Sequence, residues 1–291
     1  MSDRVDPPVL VLGASSLVGR FLLPRLAEAG VETVAVSREP AVAAMNGVRW
    51  LQADIASAGW ADAAPACSTV FALTPLWLVP QALPPLLARG AKRLVAFSST
   101  SVFTKAASPV PAEREVARKL AAAEAAIAAL AGESGLAWTI LRPTMIYAEG
   151  LDGNVTRLAR LIARLGVLPL SGAGEGLRQP VHADDLAAAA LTVAATPATH
   201  DKAYDLPGGE TLSYRDLVRR LFEAQGRKPR ILHVPPALWR LGLGLASPLL
   251  PGATAAMGDR MAENLTFDAG PAQRDFGWAP RAFRPRFPAG S

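Results

Sequence analysis

The sequence predicts an α/β fold, a doubly wound parallel sheet with a smaller C-terminal lobe over it. Three observations predict it. Short apolar runs alternate with helical stretches as far as residue 142. The first run breaks on Gly13-Ala14-Ser15-Ser16-Leu17-Val18-Gly19, which opens directly into a helix. After Pro143 the alternation loosens into helical stretches joined by glycine- and proline-rich loops. At 291 residues, 51% hydrophobic and 19% charged, the chain can bury the core of one or two domains.

Val9 to Leu12 is an uninterrupted apolar run, as in a strand buried on both faces. Residues 17–29 carry Leu22, Leu23 and Leu26 at helical spacing and stop at Gly30. The β-branched run 33–36 is a second strand, ending in Ser37-Arg38; 48–51 and 69–73 are the third and fourth. Residues 79–89 read as a helix closed by Gly90, and Arg93 to Phe97 as a fifth strand running into Ser98-Ser99-Thr100-Ser101. The alanine-rich segment 112–131 sets its larger apolar residues at Val116, Leu120, Ile127 and Leu130, which predicts one buried face. Gly132 and Gly135 end it, and 137–141 is the sixth strand. Strands alternating with helices in this way build a parallel sheet covered on both sides. Farther on, residues 155–165, 186–195 and 214–225 read as helices, placed on a lobe across the strand ends where ligands of such sheets bind.

Composition narrows the function. The net charge is +5 and the isoelectric point about 9.8, but the basic residues are interleaved with acidic ones, as in Arg114, Glu115, Arg118, Lys119 and Glu124. That pattern argues against nucleic-acid binding and suits a phosphate-rich small ligand. Cys67 is the only cysteine, which excludes disulfides and cysteine-ligated metals, fits a reducing cytoplasm, and reads as a small core residue. Residues 1–8 are polar and lack an apolar signal region. The apolar stretch 235–251 is too short and too broken, by Arg240 among others, to span a membrane. It reads as a buried helix, with a pocket wall or a membrane-surface contact as alternatives. His182, His200 and His233 show no metal-ligand spacing, and His182 reads as a packed core residue. The glycine-rich 171–176 follows no predicted strand and reads as a flexible loop on the substrate side.

The first turn carries the most chemistry. A dinucleotide turn needs glycine where the chain bends and where helix meets strand, with small residues where amides approach a pyrophosphate. Gly13 and Gly19 meet the first need, and Ser15, Ser16 and Leu17 lie between them. Ser16 is small and has a hydroxyl to donate. At the end of the second strand, Ser37-Arg38 replaces the carboxylate that would accept from ribose hydroxyls. An arginine there favours a 2′-phosphate, so NADP(H) is expected over NAD(H). Asp54 meets the adenine edge or caps a turn; Thr74 and Pro143, past the fourth and sixth strands, border the same crevice. The expected division is 1–142 as the NADP(H)-binding domain and 143–291 as a segment that completes the sheet and forms the substrate lobe.

Four motifs in order give a resemblance. They are the turn at 13–19, Phe97-Ser98-Ser99-Thr100-Ser101-Val102-Phe103, Leu141-Arg142-Pro143, and the segment from Gly174 through Arg178 and His182 to Ala187. With the closing Asp275-Phe276-Gly277-Trp278, they resemble the extended or atypical short-chain dehydrogenase/reductase superfamily, in its NAD-dependent epimerase/dehydratase branch. The resemblance covers nearly the whole chain and implies a Rossmann-type fold, a nicotinamide cofactor, and hydride transfer at a carbon bearing oxygen. It also implies a serine or threonine, a tyrosine, and a lysine four residues after the tyrosine. Ser99 matches the first, with Thr100 (also a substrate contact) and Ser101 beside it able to substitute, and Lys119 matches the lysine, expected on the nicotinamide ribose. Glu115 stands at the tyrosine position. None of Tyr147, Tyr204 and Tyr214 is followed by a lysine at that spacing.

Glu115 therefore has three readings: an exposed partner of Lys119, a replacement acid/base with its pKa raised by burial, or the mark of a site that has lost its chemistry. Tyr147 either swings its phenol toward the nicotinamide or packs in its loop. Arg178 matches an arginine that holds substrate diphosphate in sugar-nucleotide enzymes, or else pairs with Asp184 or Asp185. The asparagine such enzymes carry is replaced by Met145. Two functions follow. The first is an NADP(H)-dependent oxidoreductase or epimerase-like enzyme acting on a small carbonyl or alcohol, a sugar nucleotide among the candidates. The second is a non-catalytic NADP(H)-binding redox sensor or accessory subunit. A homo-oligomer stays open.

Overall fold

Successive residues of the first strand serve opposite faces: Val9 and Val11 enter one apolar cluster, Leu10 and Leu12 the other. That alternation sets the layers. The structure, a computed structural model, describes residues 5–40, 44–239 and 255–287. Seven parallel strands form the central sheet: β1 (Val9–Leu12), β2 (Thr33–Ser37), β3 (Val48–Gln52), β4 (Thr69–Ala72), β5 (Arg93–Phe97), β6 (Ala137–Pro143) and β11 (Lys202–Leu206). Their order is β11-β6-β5-β4-β1-β2-β3, so the winding reverses between β1 and β4. Leu12 there faces Val36 on one side and Ala72 on the other. The crevice at such a reversal is where this architecture takes its ligands.

Helices cover both faces. α1 (Gly19–Glu28) packs Leu22, Leu23 and Leu26 with Leu186, Ala187, Ala190 and Val193 of α6 (Ala183–Ala195) on the Val9 side. On the other side lie α2 (Val79–Ala88) and, after the one-turn α3 (Ser101–Thr104), α4 (Pro111–Ser134). The buried stripe of α4 is Ala117, Leu120, Ala123, Ile127 and Ala131. Val116 and Leu130, expected inside, are only partly buried at its flanks. Alanine lets a helix approach a sheet closely, so Ala117, Ala123 and Ala131 share the contact with Leu120 and Ile127. Cys67 sits in the same layer; burial pushes its thiol up to about 11, so it stays protonated.

The second half adds short pairs above the strand ends. β7 (Ile146–Tyr147) pairs with β10 (Val181–His182), and β8 (Leu168–Ser171) with β13 (Ile231–Val234). β9 (Leu177–Arg178) pairs with β12 (Leu212–Ser213). α5 (Val155–Leu165) and α7 (Tyr214–Ala224) pack with them around a third cluster that includes Tyr147, Leu170, Leu217, Phe222 and Phe283. The glycine-rich segment 171–176 therefore does follow a strand, β8, contrary to expectation. No helix follows it, because the chain enters β9 instead. Gly176 is there for close approach: a Cβ would sit 2.4 Å from Glu263 O. The stretch 235–251 falls mostly outside the described residues. Among the described residues no helix is long and apolar enough to cross a membrane.

Candidate functional site

The turn after β1 is built from backbone. Gly13 has φ +74°, and a Cβ there would lie 2.9 Å from the backbone of Leu73 and of Thr74 at the end of β4. A Cβ on Gly19 would lie 2.3 Å from Ala14 O. The Gly19 N–H donates to Ser16 Oγ at 3.1 Å, which closes the loop on itself and leaves the Ser16 hydroxyl hydrogen free to donate. Ser15 and Ser37 meet hydroxyl to hydroxyl at 2.9 Å, and the Glu39 N–H donates to Ser37 Oγ at 3.0 Å. The turn is thus tied to the end of β2. Arg38 follows with an exposed side chain, its carbonyl held by Gln52 Nε2 at 3.0 Å. Asp54 caps a turn by accepting from the Ala56 N–H at 2.9 Å. Leu17 is partly buried against the α1 cluster. At Gly13 and Gly19 a side chain would strike the chain's own backbone, so the tight glycine turn that a dinucleotide would require is present.

Ser99 lies just past β5 on the wall of a cavity of about 720 Å³. Its backbone is pinned on both sides. The Ser98 N–H donates to Leu141 O at 2.8 Å, and the Thr100 N–H to Pro143 O at 3.2 Å. Ser99 Oγ accepts from the Ser101 N–H at 3.1 Å, which aims the oxygen and leaves its own hydrogen available. Thr100 lines the cavity as well, but its buried hydroxyl is turned onto Pro143 O at 3.2 Å. Beneath Ser99 is a network that nothing in the sequence announced. Ser98 Oγ donates to Glu124 Oε1 at 2.5 Å, and Arg142 holds the same carboxylate at 2.5 and 3.0 Å.

For three side chains the sequence left alternatives open: Glu115 and Tyr147 take the exposed-partner and the packed reading, and Arg178 takes neither pairing expected of it. Glu115 is not a buried acid. It is half-exposed and gripped by Arg118 at 2.7 and 2.8 Å, and this contact holds its carboxyl below the usual range. A general acid needs the opposite environment. Lys119, half-exposed on α4, stands 3.8 Å from Glu115 and 5.8 Å over the ring of Trp77, which follows Thr74 by three residues. Tyr147 does not swing: it is 1% exposed and stacked edge-on against His182 and Phe283 at 5.0 Å each. Burial holds its phenol well above the ordinary range. Arg178 does not pair with Asp184 or Asp185, which bind Arg25 and Arg281 instead at 2.6 to 2.8 Å. It donates to the carbonyls of Leu177 and Glu263, each at 2.7 Å, and to that of Arg260. His182 is the packed residue the sequence suggested; its Nδ1 accepts from the Asp184 N–H at 3.1 Å to cap α6.

Glu115→Gln is accordingly expected to leave turnover and melting temperature nearly where they are. A fall in turnover of about 10² to 10⁴, the usual contribution of general acid–base catalysis, returns the carboxylate to the mechanism.

A family model described as NAD(P)H-binding matches residues 13–197. The chain is 31% identical over 219 residues to the 2-alkyl-3-oxoalkanoate reductase of Stenotrophomonas maltophilia, covering 67% of this chain and 66% of that protein. It is 26% identical over 158 residues to the UDP-glucose 4-epimerase of Vibrio cholerae, covering 54% of this chain and 46% of that one. The chain spans about half to two thirds of the length of the curated relatives it matches. Among solved structures it superposes on MoeE5 in complex with UDP-glucose and NAD, with TM-score 0.72, 25% identity, and 95% and 94% of the two chains covered. The seven-stranded parallel sheet is the Rossmann-type core expected. The chain belongs to the NAD(P)H-binding family, and its neighbours are epimerase- and dehydratase-like enzymes of the short-chain dehydrogenase/reductase superfamily.

Proposed function

We propose that the chain is an NADP(H)-dependent oxidoreductase that acts on a carbonyl or alcohol carbon held against Ser99. The observation that carries this reading is the juxtaposition of a turn only glycine can make, at the sheet's reversal point, with an aimed hydroxyl on a large cavity at the end of β5. The cofactor, when bound, supplies hydride to the carbonyl carbon while a proton from water goes to the oxygen, so that NADPH becomes NADP⁺. The chain's own contribution is to hold and polarise. The Ser99 hydroxyl donates to the substrate oxygen and stabilises the charge that grows there. With Glu115 paired to Arg118 and Tyr147 locked in its packing, the proton comes from water held by that hydroxyl. Gly13, Ser15, Ser16, Leu17 and Gly19 receive the pyrophosphate, and Arg38 the 2′-phosphate with Ser37 beside it. Lys119 reaches the ribose from α4, and Thr74 and Pro143 border the nicotinamide end.

NADPH is expected to bind at least tenfold tighter than NADH, about 1.4 kcal/mol, and Arg38→Ala is expected to narrow that gap. Fluorescence titration with both cofactors checks it; equal affinities, or tighter NADH, overturn the assignment of Arg38.

A second reading, a non-catalytic NADP(H)-binding sensor or subunit, is favoured by the ion-paired glutamate at the tyrosine position. Steady NADPH oxidation with any member of a carbonyl panel dismisses it. The relatives point to two substrate types, an oxoacyl compound and a sugar nucleotide.

A further inference from the structure

Most polar side chains on the far wall of the cavity are already used by the protein. Gln179 donates its amide nitrogen to Thr211 Oγ1 at 3.1 Å and accepts from the Phe267 N–H at 2.7 Å. Asn154 donates to Ile146 O at 3.1 Å, and Thr144 to Gln179 O. Arg178 uses three hydrogens on backbone carbonyls and lies 5.5 Å over the Tyr214 ring. These engaged groups offer a sugar or a nucleobase fewer partners, and polar atoms left unpaired on burial are disfavoured. The lining also carries an apolar patch of Met145, Leu158, Leu161, Leu170, Met261 and Phe267, while Lys105 and Arg260, also on it, are paired with Glu113.

The charge lies at the rim. Arg157, Arg160 and Arg164 fall on one face of α5, and all three are exposed while lining this cavity. Neither Arg157 nor Arg164 makes an ion pair among the described residues; Arg160 donates to Gly150 O at 3.2 Å. The start of α5 is fixed by the buried Asp152, whose carboxylate accepts from the Asn154 and Val155 N–H groups at 2.7 and 2.6 Å and from Thr156 Oγ1 at 2.6 Å. The arginine face is therefore held in one orientation.

We infer that the cavity takes an anionic amphiphile: an extended apolar chain along the Met145–Leu170 side, a carboxylate or phosphate monoester at the arginines of α5, and the reacting carbon at Ser99. The volume of about 720 Å³ is ample for such a molecule. This inference rests on reading the cavity as the substrate site.

Calorimetric titration of the intact protein with decanoate, decyl phosphate, methyl decanoate, butyrate and UDP tests it. Decanoate or decyl phosphate is expected to bind at least tenfold tighter than methyl decanoate, and butyrate at least 100-fold weaker than decanoate, since each methylene removed loses apolar contact. The tighter of the two anions identifies the head group. The double variant Arg157→Gln, Arg164→Gln, both at exposed positions, is expected to lose at least tenfold in affinity for the anion and to shrink its advantage over the ester. Equal binding of acid and ester, or UDP bound tighter than either ten-carbon anion, overturns the inference. Incubation with 3-hydroxydecanoate and NADP⁺ separates this from the oxidoreductase reading. Oxidation to the 3-oxo acid, with one NADPH and one proton released per molecule, supports both. Decanoate bound with no NADPH formed leaves the amphiphile site standing and counts against the enzyme. Turnover of UDP-glucose without decanoate binding keeps the enzyme and overturns the amphiphile.

Discussion

Gly13→Val is expected to abolish cofactor binding, weakening it by at least about 100-fold, the equivalent of about 2.7 kcal/mol. Two effects combine. The residue sits at φ +74°, where a β-branched side chain is a steric outlier, and its Cβ would meet the Leu73 carbonyl carbon and the Thr74 nitrogen at 2.9 Å. Those atoms are backbone at the end of β4, itself paired with β1 and β5, so they cannot yield as a flexible side chain would. The relief available is for the turn to move away from β4, which carries the amides of residues 14–17 with it. Because a large substitution can unfold the chain, circular dichroism should accompany the titration. Gly30→Ala supplies the comparison, since Gly30 also has a positive φ, +67°, but nothing within 4 Å of its Cβ position. It is expected to lower stability by about 1 kcal/mol through backbone strain alone and to bind cofactor normally. A folded Gly13→Val protein with wild-type affinity would mean that the dinucleotide lies elsewhere.

The sheet was legible because its signals are local. β1, β5 and α5 fall where apolar runs and glycine stops place them, and the doubly wound order follows from their alternation. β11 was not legible. Its sequence, Lys-Ala-Tyr-Asp-Leu, has two charged residues, whose side chains are held by distant partners: Lys202 by Asp275 at 2.8 Å, and Asp205 near Arg142 at 3.7 Å. Those partners lie 73 and 63 residues away, beyond any local pattern. The two-residue strands β7, β9, β10 and β12 are too short for a period to show at all. At the site, the turn and Ser99 were legible because glycine and serine were needed at fixed offsets. The fates of Glu115, Tyr147 and Arg178 were not, because each is decided by a competitor. Arg118 takes the glutamate, His182 and Phe283 enclose the tyrosine, and backbone carbonyls saturate the arginine. The arginine face of α5 was readable as spacing in the sequence, but only the cavity gives that spacing a purpose.

Ser99→Ala is expected to cut kcat/KM by about 10² to 10³ on any substrate that turns over, the usual effect of removing one preorganised donor to a developing oxyanion. The argument begins with position. Ser99 is held between the Ser98–Leu141 and Thr100–Pro143 backbone bonds, and the Ser98–Glu124–Arg142 network supports it from below. Its Cβ therefore does not drift when the hydroxyl is lost, and the Thr100 hydroxyl, engaged with Pro143 O, does not take its place. The Ser101 N–H loses its acceptor, a modest cost at a half-buried position, so the melting temperature should fall only slightly. Cofactor affinity is expected to stay close to that of the unmodified chain, because the pyrophosphate and 2′-phosphate contacts assigned above all come from other segments. Ser99→Thr keeps a hydroxyl on the same Cβ and should recover most of the activity, which a purely structural role for the side chain does not predict. In a chain whose tyrosine position holds an ion-paired glutamate, the serine carries more of the polarisation, so its loss should outweigh that of Glu115→Gln by at least tenfold in turnover. If Ser99→Ala keeps wild-type kcat/KM while Glu115→Gln loses activity, the proton path runs along α4, and the reacting carbon lies on the Lys119 side of the crevice.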